Sequence, residues 1–214
     1  PPPGPAIAAK IPPATEKTLA NGLRVIVANR PGLPLMAADL RFSAGSALDP
    51  ADRAGLASMT ADIATRGTAT RSATDIARQI ESLGASLGAS AGADASSVSA
   101  ATRADKAAPV LAVMADVVQH PAFANEEIQR ARQEALDGLL VSLRQPNAVG
   151  GYAMTRRLFG AGPYGKTPSP RSIAALTQSD AEKFQQQYWR PDNAVLVLAG
   201  DITPEAGIKL AQAA

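Results

Sequence analysis

The sequence predicts an α+β domain, with a mixed, mainly antiparallel sheet and helices packed on it. Two observations lead there. Strand-like segments come in runs: two strands, two helices, two more strands, then several helices and a last strand. That order does not suit the strict alternation of parallel α/β folds. The chain also shifts repeatedly between two-residue apolar alternation and helical spacing. Of 214 residues, 46% are apolar but only 4% aromatic. The core is therefore expected from Ala, Leu, Val and Ile, with close helix approaches.

The elements follow in order. Residues 1–17, opening "PPPGPAIAAKIPPAT", read as a Pro-rich leader or linker, and 18–214 as one domain. After an Asn21-Gly22 turn, Leu23, Val25 and Val27 alternate with Arg24 and Ile26, a strand signal. Residues 33–46 read as a second strand closed by Gly45. "GLASMTADIATRGT", residues 55–68, reads as a short helix ending in a turn. It has Leu56, Met59 and Ile63 on one side and Ser58, Ala61 and Asp62 on the other. A further helix follows Ser72 as N-cap, with Asp75 three residues on and Ile76, Ile80 and Leu83 as its stripe, stopped by Gly84. Residues 85–102 alternate small and polar side chains and read as two strands or a bent hairpin. Gly88 and Gly92 there suggest a bulge or close backbone approach. Val110, Met114, Val117 and Val118 mark the inner face of the next helix, which stops before Pro121. Residues 124–145 carry the longest helical pattern, and their acidic start suits the helix dipole. "NAVGGYAMTRRLFG" is another helix, "PYGKTPSPRSIAAL" a loop, and "QSDAEKFQQQYW" a helix opening near Ser179 or Asp180. Residues 193–202 form a continuous apolar run, read as a buried strand.

Composition removes several function classes. The net charge is +2, from 21 basic and 19 acidic residues, with no basic run or aromatic–basic interleaving. Nothing supports nucleic-acid binding. The absence of cysteine excludes disulfides, thiolate metal sites and a cysteine nucleophile. No apolar run reaches the ~18 residues of a transmembrane helix.

The candidate chemistry is sparse. A catalytic zinc needs three protein ligands, usually His with Glu or Asp, and an open position. The chain has one histidine, His120, which reads as a helix-end residue before a proline. A Ser-His-Asp triad would have to use that residue, and no G-x-S-x-G elbow exists. "SLGASAGA", residues 86–93, lacks the G-K-S/T of a phosphate loop. It reads either as a small-residue strand or as an edge that accepts an extended peptide, since small side chains leave room for a partner backbone. On the helix at 55–68, the spacing of Ser58, Ala61 and Asp62 would suit two metal ligands and a general base, but no residue there is a strong zinc ligand.

Several segments together carry a resemblance: "TLANGLRVIV", "FSAGSALDPADRAGLASMTADIATRGT", "LGASLGASAGADASSVS", "RARQEALDGLL" and "PYGKTPSPRSIAALTQSDAEKFQQQYWRPDNAVLVLAGDI". In order and spacing they resemble the pitrilysin/insulinase family, whose zinc enzymes are the inverzincins, over about Thr18 to Ile202. The family motif H-x-x-E-H lies in a frame of which this chain keeps Gly55, Leu56, Ala57, Gly67 and Thr68. The two histidine positions fall on Ser58 and Asp62, and the catalytic glutamate position on Ala61. The third ligand position falls on Gly138, or on Asp137 with a one-residue slip. The supporting glutamate position falls on Ala131.

The resemblance implies a peptidase homologue with no catalytic residues and no metal of its own. The expected cofactor is none here, with zinc expected in a partner subunit. It further implies that this is the first of two related domains, with the second C-terminal to it. The expected partner is a homologous zinc-bearing chain, the two enclosing a chamber for unfolded peptides. Leu87, Gly88, Ala89, Ser90 and Ala91 correspond to the strand that pairs with substrate in active members. A structural subunit or a separate peptide-binding module are the other readings, and an active peptidase with relocated ligands ranks last. The Pro-rich start and absent cysteines suit a bacterial periplasm or envelope protein, with the cytoplasm left open.

Overall fold

The computed structural model describes residues 13–214. Most of the Pro-rich segment expected at 1–17 lies outside the described residues, but its last part does not stay a linker. Ala14–Thr18 forms β1, paired antiparallel with β2, Arg24–Asn29. β3 is Leu35–Phe42, β4 Ser86–Ala91, β5 Ser96–Arg103 and β6 Ala194–Gly200. They form one mixed sheet in the order β1-β2-β6-β3-β5-β4. Only the β2–β6 pair is parallel. The last strand therefore inserts into the middle of the sheet, which accounts for its continuous apolar run.

The eight helices of the described residues are α1 Leu56–Ala64, α2 Ala73–Ser82, α3 Ala107–Gln119, α4 Asn125–Ser142, α5 Pro146–Phe159, α6 Pro170–Ala174, α7 Gln178–Tyr188 and α8 Pro204–Ala213. The capping box at Ser72 and Asp75 forms as its sequence predicts, with the Asp75 N–H donating to Ser72 Oγ at 3.1 Å. Three helix expectations need correction. α7 starts at Gln178, one or two residues earlier than read, because Thr177 caps it and Asp180 closes the box. The loop at 163–176 contains α6, nucleated by Ser169 and Ser172 around Pro170. α8 lies beyond the last predicted strand, behind a Thr203 cap.

One face of the sheet carries the core. Val25, Val27, Met36, Ala38, Phe42, Val98, Leu196 and Leu198 are buried there under the helices. Phe42 stacks in parallel on Trp189, centroids 5.0 Å apart, tying β3 to the end of α7. On the opposite face Ala37, Ser99 and Ala101 are exposed, while Val197 and Ala199 are half-buried. No close backbone approach occurs at Gly88, around which an added Cβ would meet nothing; close approaches occur at Gly45 against the Gly92–Ala93 backbone, at Gly165 against Gly160 and at Gly200 against Leu35.

Candidate functional site

α1 is held by its approach. The fully buried Asp49 carboxylate accepts the N–H groups of Gly55 at 2.8 Å and Ala57 at 3.0 Å, satisfying donors that a helix start leaves orphaned. Burial pushes the Asp49 carboxyl up, and these backbone bonds and nearby Lys166 act against it. Lys166 Nζ donates to the Ala47 carbonyl at 2.9 Å and to that of Asp49, closing the loop from the far side. Gly55 enters the helix at φ +106°, a left-handed conformation that demands glycine.

α1 packs against β4, α7 and α4. The expectation that Ser58, Ala61 and Asp62 share one outer side is corrected for Ala61. Ser58 and Asp62 are exposed, but Ala61 is fully buried, because α1 is covered on its flanks as well as beneath. Ser58 and Asp62 open onto a cleft of about 330 Å³ between α1 and α4, walled by Met59, Ala131, Ala135, Leu139, Tyr152 and Leu176. Ala131, the position to which the resemblance assigns the supporting glutamate, is buried in that wall. Gly138, two turns on, is exposed, and a Cβ there would meet nothing within 4 Å. Asp137 does not line the cleft; its carboxylate accepts from Gln133 Nε2 at 2.9 Å.

The charged residues lining the cleft are Asp62 and Glu134, and both are held by Arg66, a residue that the sequence reading did not single out. Arg66 Nη2 donates to Asp62 Oδ2 at 2.7 Å and to Glu134 Oε2 at 2.6 Å, and its Nη1 lies 3.7 Å from Glu127 Oε2. This guanidinium fastens the end of α1 to α4. The Glu134 hydrogen bond, with Asp62 beside it, holds Arg66 firmly charged, and Arg66 holds the Glu134 carboxyl below its usual range. The i, i+4 spacing of Asp62 and Arg66 was a readable signal; the contact to Glu134, 68 residues away, had none.

These residues do not fit a catalytic zinc. Asp62 is already committed to Arg66, Ser58 is a poor ligand, Ala61 carries no carboxylate and Gly138 no side chain. Among the described residues no group of three or more His, Cys, Asp or Glu could hold a metal ion. His120 caps α3, and its Nδ1 sits 3.3 Å from Asp116 Oδ1, outside the cleft lining.

β4 is the outermost strand beside α1. Leu87, Ala89 and Ala91 pack toward the core, while Gly88 and Ser90 lie on the other face. One edge of β4 is paired to β5; its other edge has no partner strand among the described residues. A larger crevice, about 1040 Å³, lies at the sheet end where β2 and β5 finish, and it shares no lining residue with the α1–α4 cleft.

Residues 24–149 match the profile of the insulinase family, peptidase family M16. An "Uncharacterized zinc protease" of Rickettsia bellii is 27% identical over 196 residues, 91% of this chain and 48% of that protein. The crystal structure of a peptidase M16 inactive domain from Pseudomonas fluorescens is 27% identical, with a TM-score of 0.88 over 93% of this chain and 49% of that one. The periplasmic protease PqqL of Escherichia coli shares the fold at 17% identity and TM-score 0.83 over 94% of this chain and 23% of that one. The chain spans about half the length of the curated relatives it matches. No described helix is long and apolar enough to cross a membrane.

Proposed function

The chain belongs to the insulinase family, peptidase family M16, and from that premise we propose that it is a non-catalytic member that supports a zinc-bearing homologue. The observation that carries this reading is the pairing of a kept frame with lost chemistry. Gly55, Leu56, Ala57, Gly67 and Thr68 stand around Ser58, Ala61 and Asp62, and the resemblance assigns the third ligand position to Gly138, or to Asp137 with a one-residue slip. Without imidazoles or a glutamate there is no polarised water and no general base. This chain binds no catalytic zinc and does not hydrolyse peptides alone.

Its contribution is a surface. It completes a chamber with the homologous chain, and its own second domain follows this one; the half-length matches support that division. The unpaired edge of β4 supports a second reading, in which unfolded peptides add to it as an extra strand without being cut. The bacterial periplasm or envelope suits both readings, and a periplasmic protease among the structural neighbours supports it.

The test is co-purification and peptide hydrolysis by a zinc-bearing homologue from the same organism, with and without this protein. Stable association and an activity that needs both chains are expected. Equal activity with and without it would sink the pairing.

A further inference from the structure

The crevice at the sheet end is separate from the emptied metal site and has its own chemistry. Arg30 stands at the end of β2, where its N–H is bonded to the Gly200 carbonyl at 2.7 Å. Leu33 and Leu35, 70% and 54% exposed, present bare apolar surface beside it. Arg103, at the end of β5, is spent on Asp105, with bonds of 3.0 and 3.2 Å. Arg30 takes part in none of the ion pairs formed among the described residues. Asp201, next to Gly200 in the chain, does not line the crevice.

We propose that this crevice receives the C-terminal carboxylate and apolar last residues of an unfolded peptide whose preceding residues lie along β4. The inference rests on the strand-addition reading above. Direction supports it. A peptide antiparallel to β4 runs from Ala91 toward Ser86, so its C-terminal end passes Ala85 and Gly84, which line the crevice. β4 and β2 are four strand steps apart and the added peptide lies one step beyond β4, so it must cross roughly 24 Å at the usual spacing. About seven extended residues cover that span. The guanidinium of Arg30 offers a two-point hydrogen bond to a carboxylate, and Leu33 and Leu35 take the terminal side chains.

The test uses the protein at its full natural length and fluorescence anisotropy. The probe is one labelled, unstructured peptide ending in Leu-Leu, made as the free acid and as the C-terminal amide. The acid is expected to bind about tenfold more tightly, the size of one charge-assisted hydrogen bond. Arg30→Gln is expected to lower the acid to the level of the amide and leave the amide unchanged, which also reports that the variant is folded. Equal binding of acid and amide by the unaltered protein would overturn this inference and leave strand addition standing. Binding of neither peptide would remove both.

Discussion

At the scale of single residues, two carboxylates set the cleft. Asp49 holds the start of α1 through the N–H groups of Gly55 and Ala57. Asp49→Ala should lower unfolding free energy by about 1–2 kcal/mol, the usual loss of a helix cap, read by urea denaturation at neutral pH. Glu134 behaves oppositely to Asp49. Arg66 depresses its carboxyl in the folded state, so the pair's contribution is present above the ordinary glutamate value, ~4.3, and is lost as pH falls through the depressed one. The midpoint of thermal unfolding should therefore drop on acidification, and Arg66→Gln should flatten that part of the profile. An unchanged profile would mean that the Arg66–Glu134 bond does not persist in solution.

At the scale of elements, β4 and α8 offer separate tests. Neighbouring N–H groups of a strand point to opposite sides, so of Gly88→Pro and Ala89→Pro only one removes a donor from the free edge. That variant should keep native circular dichroism and lose peptide binding, measured by anisotropy. The other should unfold the β4–β5 pairing. Gly207 lets α8 approach β2: a Cβ there would lie 2.9 Å from Val27 Cγ2. Gly207→Leu should destabilise by about 1–3 kcal/mol, the ordinary consequence of overpacking. Local patterns carried much of this level. Ser72 and Asp75 announced α2, and the alternation of Val25 and Val27 announced β2. Ala61 was misplaced because helical periodicity separates two sides but does not say how many neighbours cover them. α6 escaped because a five-residue helix has too few apolar positions to show a period, and Arg66–Glu134 because a contact across 68 residues leaves no local trace.

At the scale of the whole molecule, the six-stranded sheet, α1 and the α4 wall beside it form a fold shared with the peptidase M16 inactive domain of Pseudomonas fluorescens, and among the described residues no group of three or more His, Cys, Asp or Glu could hold a metal ion. The positions that the resemblance assigns to zinc ligands were legible in the sequence only because the flanking Gly55-Leu56-Ala57 and Gly67-Thr68 mark them. The free sheet edge was legible from small residues alone, whereas the crevice at Arg30 arises from strand order, which no local pattern encodes. The most direct measurement is zinc content per chain by elemental analysis of the purified full-length protein after dialysis. The account expects no stoichiometric zinc and no peptide hydrolysis by the protein alone. A full equivalent of zinc, with hydrolysis that a chelator abolishes, would contradict it.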